Sequence, residues 1–200
     1  MKTSSRFILI GFVAAVAVVT FSGCATKRTS TDQLAPAATV GTAKPEVAAS
    51  SPAATASQIT LTVVKVDSEE TSGEDGKGAN AVDGDTNTFW HTQWQDANPE
   101  GPHEIIIKLT PLATIKGFTY LPRQDDSENG TIRDYEFYVS NDGVDFGQPV
   151  RKGSFENSKD KKIVTFEPRE CQFIKLKALS EVNGEAWTSA AEIGVIQNDN

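Results

Sequence analysis

Alternating apolar and polar positions dominate the chain from Gln58 onward, in short stretches separated by turn residues. The stretches are QITLTVVKV (58–66), HEIIIKLT (103–110), IKGFTYL (115–121), RDYEFYVS (133–140), KKIVTFEP (161–168), QFIKLKALS (172–180) and AAEIGVIQ (190–197). They are rich in Ile, Val, Thr, Phe and Tyr, and no segment shows the period of about 3.6 residues that an amphipathic helix needs. Seven or eight strands in residues 58–200 predict an all-β domain, an antiparallel β-sandwich of jelly-roll type.

The first 57 residues lack this pattern and divide into two segments. Residues 1–23 begin with a positive end and continue with the apolar stretch FILIGFVAAVAVVTF, which is short for a membrane span and typical of a secretory signal. The sequence FSGC that ends at Cys24 resembles the lipobox of bacterial lipoproteins, so Cys24 is predicted to carry lipid. The alternative is an ordinary secretory signal with an incidental cysteine.

Residues 24–57 are dominated by Ala, Pro, Ser and Thr, a composition that predicts a disordered tether. Together with the lipobox, this tether predicts a domain that is anchored at the bacterial cell envelope through Cys24. The expected location is the outer membrane or cell surface, and the sequence leaves open whether the domain faces the periplasm or the outside. The formal net charge of -8 argues against nucleic acid as a partner, because phosphate binding needs a basic surface. The short basic run KDKK (159–162) is predicted to be a solvated turn, and Cys171 a small buried side chain.

The loop NAVDGDTNTFWHTQW (80–94) combines two carboxylates, a threonine and several large rings. Asp83 and Asp85 flank Gly84, which would let the backbone bring hard oxygen atoms around one cation such as calcium. The same DGD sequence is also compatible with a solvated turn that caps itself through Asp side chains. The residues alone therefore leave a calcium site and a plain turn both open.

Several segments in this order resemble family 32 carbohydrate-binding modules, which belong to the coagulation factor 5/8 type C (discoidin) superfamily. They are NAVDGDTNTFWHTQW, PHEIIIKL, GFTYLPRQDDSENGTIRDYEFYVSNDG and SAAEIGV, and the resemblance covers about residues 59–197. It implies a galactose-binding-domain-like sandwich with a structural calcium ion between the first long loop and the last strand. The implied ligands are the Asn80 carbonyl, the Asp83 and Asp85 side chains, Thr88 through carbonyl and hydroxyl, the Ala191 carbonyl and the Glu192 carboxylate.

The resemblance also implies a sugar site on loops at one end of the sandwich. Arg123 would donate a planar fork to adjacent hydroxyls, His91 would exchange one hydrogen bond, Asn129 would add amide contacts, and Trp187 would stack on the apolar sugar face. Glu128 could replace Asn129. Galactose-type sugars are common ligands of the resembled family.

Each of these residues also has a purely structural interpretation. Arg123 could pair with Asp125 or Asp126, and His91 could simply satisfy a backbone carbonyl. Trp90 is predicted to be in the core, whereas Trp94 could line either the core or the rim. Trp187 lies in the polar loop SEVNGEAWTS, where a contact role at the surface is favoured.

Non-catalytic carbohydrate binding is therefore the predicted function. The alternative is a discoidin-like module that binds a protein partner or a membrane surface. Enzyme activity is not expected, because no nucleophile motif is present and the adjacent carboxylates Asp125 and Asp126 are poorly spaced to flank one glycosidic bond.

Overall fold

The computed structural model describes residues 58–198, and the predicted signal, lipid site and tether lie outside the described residues. Within 58–198 the protein is built from strands, as predicted. The strands are β1 (Thr60–Val66), β2 (Trp90–His91), β3 (His103–Leu121), β4 (Asp134–Ser140), β5 (Arg151–Ser154), β6 (Lys162–Ala178), β7 (Ser189–Ala190) and β8 (Glu192–Gln197). In this part of the chain the one helical element is a 3₁₀ turn, Gly78–Val82, and no helix is long and apolar enough to cross a bilayer.

Two long strands, β3 and β6, run through both layers of the sandwich. Their neighbouring halves join β1, β3, β6, β4 and β5 into one antiparallel layer. Beyond an irregularity between Lys108 and Ala113, β3 continues to pair with the first half of β6 and takes β8 on its other side. The two layers therefore share β3 and β6, and the pairing of these strands changes register between the halves.

The core lies between these two layers and consists of aromatic and branched side chains. Phe118 of β3 stacks on Phe137 of β4, with ring centroids 4.0 Å apart. Trp90 is 1% exposed and Cys171 is fully buried, which confirms both predictions. Tyr120, also fully buried, donates its hydroxyl to the Ser189 carbonyl and accepts the Ile132 amide, so the core is tied directly to the loops above it.

The strand boundaries differ from the sequence prediction in two ways. HEIIIKLT and IKGFTYL are parts of one strand, β3, and KKIVTFEP and QFIKLKALS are parts of β6. In both pairs a proline, Pro111 or Pro168, interrupts the apolar pattern close to where the ladder shifts register. The short strands β2, β5 and β7 have no alternating pattern to reveal them, since β5 is exposed throughout and the other two are buried throughout.

Candidate functional site

One cleft at an end of the sandwich brings together the four residues predicted to contact sugar. This cleft, called the loop cleft below, has a volume of about 220 Å³. Its lining residues are Glu74, His91, Trp94, Arg123, Ser127, Asn129 and Trp187. They come from four separate segments of the chain, which meet because β3 ends beside the loop that carries Trp187.

Arg123 is 7% exposed and is held on two sides. Its Nε and Nη2 donate to the two carboxylate oxygens of Asp125 at 2.7 and 2.5 Å, which lowers the pKa of Asp125. Its guanidinium carbon lies 4.1 Å from the centroid of the Phe89 ring. A guanidinium has five N–H donors, so three remain, including both on Nη1. The structural pairing with Asp125 therefore fixes the orientation of Arg123 and still leaves a fork of donors.

His91 is 2% exposed, and its ring orientation defines its tautomer. Nδ1 lies 2.7 Å from the Thr92 carbonyl and 3.9 Å from the Glu74 carboxylate. A carbonyl oxygen only accepts, so Nδ1 carries the proton and Nε2 of the neutral ring is an acceptor. Burial lowers the pKa of His91 despite the Thr92 hydrogen bond, which favours this neutral form at pH 7. His91 satisfies a backbone carbonyl and also presents one acceptor.

Asn129 is positioned by a tight loop that packs against β7. The Asn129 carbonyl accepts the Ser189 hydroxyl at 2.9 Å, and the Gly130 carbonyl accepts the Ser189 amide at 2.7 Å. Gly130 has φ +81°, and a Cβ there would lie 2.6 Å from the Ser189 nitrogen, so the close approach requires glycine. Glu128 instead accepts a hydrogen bond from the Asn157 side chain at 3.1 Å. Asn129, and not Glu128, lines the loop cleft.

Lys159 supports the same loop from behind. Its ammonium group donates to the carbonyls of Arg123, at 3.0 Å, and Ser127. The prediction of a solvated turn at 159–162 is therefore wrong for Lys159, because the loop offers it two carbonyl acceptors that the sequence pattern does not reveal.

Two indole rings stand at the loop cleft. Trp94 is 38% exposed and donates its Nε1–H to the Glu74 carboxylate at 3.0 Å, so Trp94 belongs to the rim and not to the core. Trp187 is half-buried, with its ring centroid 6.4 Å from that of His91. Glu74, Ser127 and Phe89 were not singled out from the sequence. Glu74 precedes His91 by many residues, and only the folded chain places the two side by side.

A second group missed by the sequence analysis is Glu70, a fully buried carboxylate below the cleft. Its two oxygens accept four backbone amides, those of Ser72, Gly73, Trp94 and Gln95, at 2.7 to 2.9 Å. These bonds, with that of Trp94 the strongest, lower the pKa of Glu70 to about 2. Glu70 thus fastens the segment that leads to Glu74 onto the segment that carries Trp94.

Oxygen atoms from both ends of the domain meet at the predicted metal loop. Glu192 Oε1 accepts the Gly84 amide at 2.7 Å. The Thr88 hydroxyl lies 2.8 Å from Asp83 Oδ2 and 2.9 Å from the Asp85 carbonyl. Burial raises the pKa of Glu192, and the neighbouring Asp83 carboxylate raises it further. Two carboxylates, a hydroxyl and a carbonyl therefore lie close together.

The Asp85 carboxylate, also predicted as a ligand, accepts the amide and side chain of Asn87 at 2.9 and 2.8 Å, so it caps its own turn. For Asn80 and Ala191 the predicted ligands are the backbone carbonyls. The Ala191 amide donates to the Leu121 carbonyl and the Asn80 side chain donates to the Asp75 carbonyl, so neither contact occupies a predicted ligand atom. Among residues 58–198, no three His, Cys, Asp or Glu side chains converge closely enough to hold a metal ion. The donor set fits a hard cation with Asp85 contributing its carbonyl.

Comparison with known proteins agrees with this fold. Residues 53–193 match the F5/8 type C domain, and the chain belongs to that family. A sialidase of Micromonospora viridifaciens is 40% identical over 69% of this chain, which corresponds to 21% of the sialidase. A galactose oxidase of Gibberella zeae is 37% identical over 79% of this chain and 24% of the oxidase. The chain therefore spans about a fifth to a quarter of the length of these relatives.

Solved structures give the same result and confirm the resemblance to family 32 carbohydrate-binding modules. The Clostridium perfringens module CpGH89CBM32-5, in complex with GalNAc-β-1,3-galactose, is 34% identical with a TM-score of 0.60, over 69% of this chain and 94% of that module. The family 32 module of C. perfringens NanJ, in complex with galactose, is 31% identical with a TM-score of 0.58, over 68% and 93%.

Proposed function

We propose that this domain binds a terminal galactose-type sugar in the loop cleft without modifying it. The observation that carries the proposal is the convergence of His91, Arg123, Asn129 and Trp187 on that single cleft. Its volume of about 220 Å³ is below the roughly 300–1,000 Å³ of pockets that enclose drug-sized ligands, so it suits one sugar unit at a chain end.

The cleft offers what a neutral sugar needs. The free N–H groups of Arg123 donate to two adjacent hydroxyls, and His91 Nε2 accepts a hydroxyl proton. Asn129 supplies both a donor and an acceptor, and its side chain is exposed to the cleft. The Trp187 ring packs against the C–H face of the sugar, and Trp94 closes the rim. The galactose-type preference draws on the two clostridial modules, whose complexes contain galactose or GalNAc-β-1,3-galactose.

Binding without catalysis fits the charges in the cleft. Hydrolysis of a glycoside commonly uses two carboxyl groups on either side of the bond. Of the residues that line the loop cleft, Glu74 alone is acidic. Asp125 lies beside the cleft, and both of its oxygens accept hydrogen bonds from Arg123.

The test is galactose binding by residues 58–200, measured by calorimetry and by retention on a galactosylated matrix. We expect Arg123→Ala to weaken binding by at least about a hundredfold, because it leaves the sugar hydroxyls without their donor and removes both hydrogen bonds that Asp125 accepts from Arg123. Arg151→Ala, a change of the same type at an exposed position in β5, is the matched control and should bind as the wild type does. Equal binding by wild type and a folded Arg123→Ala variant would overturn the proposal. Binding to lipid vesicles without sugar binding would support the discoidin-like alternative.

We also propose that a structural calcium ion binds at the metal loop. Asp83, Glu192 and Thr88, with the carbonyls of Asn80, Asp85 and Ala191, would hold it. A dication there would balance the two carboxylates and join the first long loop to β8. Support comes from the chemistry of the converging oxygens.

For the whole protein, we propose attachment to the bacterial envelope through a lipid on Cys24. Support comes from the sequence of residues 1–57 alone. In cell fractionation, we expect the protein in the membrane fraction and a Cys24→Ser variant outside it. Membrane recovery that is unchanged in this variant would contradict the lipid anchor.

A further inference from the structure

Trp187 lies between two backbone anchors. On one side, Thr188 and Thr92 exchange two hydrogen bonds, Thr188 N to Thr92 Oγ1 and Thr92 N to the Thr188 carbonyl, both at 2.9 Å. On the other side, the Ala186 carbonyl lies 2.8 Å from His103 Nε2. The indole N–H of Trp187 is buried and has no hydrogen-bond partner among residues 58–198. The ring is therefore placed by its backbone anchors and by packing, and not by a bond of its own.

His103, at the start of β3, is 1% exposed, and both of its ring nitrogens face acceptors. Nδ1 lies 2.7 Å from Asp67 Oδ2, and Nε2 lies 2.8 Å from the Ala186 carbonyl. The other Asp67 oxygen accepts the Glu104 amide at 2.7 Å, which fixes the carboxylate in place. Since a carbonyl cannot donate and Asp67 is a carboxylate, both contacts are hydrogen bonds only when the ring carries two protons.

We propose that doubly protonated His103 is a positioning residue that holds Ala186, and through it the Trp187 ring, so that sugar affinity falls when His103 loses a proton. The inference rests on the proposed sugar binding. The inference gives a role in sugar binding to His103, which does not line the loop cleft, and it predicts that sugar affinity decreases as the pH rises.

The direction of the pH dependence follows from the two acceptors that face the His103 ring. Burial lowers the pKa of His103, but the hydrogen bond and charge of Asp67 outweigh it, and the net pKa lies above the usual value for histidine. When one proton leaves, the charged Asp67 is the stronger acceptor and keeps the proton on Nδ1. Nε2 then presents a lone pair to the Ala186 carbonyl, and two acceptors repel each other. The anchor is complete at low pH and is lost as the pH rises through the pKa of His103.

Several further acidic residues lie around His103. Glu100, Glu181 and Glu185 line, with His103, a second cleft on the other side of the Trp187 loop. The Glu181 carboxylate accepts the amides of Asn183 and Glu185, which organises that loop. The neighbouring Glu104 is paired with Lys65 and Lys175 at 3.1 and 3.7 Å, and the Pro99 carbonyl is a further acceptor near the ring. Asp67 and the Ala186 carbonyl remain the direct partners.

The first test uses wild-type protein without sugar. Nitrogen-15 NMR follows the His103 ring and the indole N–H of Trp187 from about pH 5.5 to about pH 9.5. We expect the Trp187 signal to move with the same midpoint as His103, while the Trp90 indole, which donates to the Ser68 carbonyl, stays constant. Galactose affinity should fall about fivefold to tenfold across that midpoint, the effect of one hydrogen bond.

Two substitutions at His103 distinguish the hydrogen bond to the Ala186 carbonyl from the positive charge of the ring. The amide of His103→Gln reaches the position of Nε2 and can still donate to Ala186, whereas that of His103→Asn reaches only the position of Nδ1. We expect His103→Gln to bind galactose within about threefold of wild type with no pH dependence, and His103→Asn to bind about tenfold more weakly at pH 6. The inference is overturned if the Trp187 signal does not change as His103 titrates, or if the His103→Asn variant binds galactose as tightly as wild type. If wild type binds no galactose at any pH, the proposed function fails, and the sugar-free NMR titration still decides the anchor.

Discussion

The loop cleft and a groove along the sheet edge differ both in volume and in how their charged groups are held. The groove, called the edge groove here, runs between β5 and the first half of β6 and comprises cavities of about 480 and 420 Å³, against about 220 Å³ for the loop cleft. Its charged residues are Arg151, Glu156, Lys162, Glu167 and Arg169. None of these five forms an ion pair with another described residue.

Charged groups at the loop end are held in a quite different way. Arg123 is clamped by Asp125, His103 bridges Asp67 and Ala186, and the Glu70 carboxylate accepts four amides. Binding is efficient when polar groups are already oriented, because less entropy is lost on association. This difference supports the proposal that the smaller loop cleft, and not the larger edge groove, binds the sugar.

Among the substitutions that test this contrast, we expect the largest effect from replacing the buried carboxylate of Glu70. In Glu70→Gln the amide nitrogen faces two of the four backbone donors, so buried amides lose their acceptor. We expect the melting temperature to fall by about 10 °C, measured by calorimetry. The matched change in the edge groove, Glu167→Gln at an exposed position, should shift it by less than about 1 °C. Similar shifts in the two variants would remove the contrast.

The dependence of the Glu70→Gln effect on pH gives a second test of the same carboxylate. Because the folded pKa of Glu70 is about 2 and its ordinary value is 4.5, its contribution is complete above about pH 4.5 and is lost as the pH falls through about 2. The difference in urea midpoint between wild type and Glu70→Gln should therefore be constant near neutrality and shrink as the pH falls toward 2. A difference that is independent of pH would assign the effect of the substitution to packing instead.

A smaller effect is expected from calcium removal. An ion that binds only the folded protein stabilises it, so EDTA should lower the melting temperature of wild type by a few degrees. Glu192→Gln should abolish this response, and Glu167→Gln should keep it. A wild-type melting curve that is the same with EDTA and with calcium would contradict the proposed ion at the metal loop.

The fold was predictable because apolar and polar residues alternate along each long, half-buried strand, and this alternation is a strong sequence signal. The stretches that became β1, β4 and β8 were recognised directly, and β3 and β6 were recognised in halves. The sequence could not show that the halves are continuous, because Pro111 and Pro168 resemble strand ends. In the structure, the strands change their pairing near these positions and continue.

The site was predictable only as far as the family resemblance extends. The resemblance selected His91, Arg123, Asn129 and Trp187, and the structure brings all four to one cleft. Glu70 and His103 had no local signal, since a carboxylate or an imidazole in a loop gains its role from partners many residues away. Asp85 shows the opposite case, where the residue was selected but its carboxylate serves its own turn.

The order in which the cleft residues occur along the chain has a consequence for biosynthesis. Trp187 and Ser189 lie close to the end of the described domain, and they pack against segments that a ribosome would have released much earlier. A nascent chain that ends before Trp187 already carries His91 and Arg123 but lacks the Trp187 ring and the Ser189 hydroxyl that complete the cleft. The complete lining of the loop cleft, and with it the proposed sugar binding, is therefore available only after residues 187–189 have been synthesised.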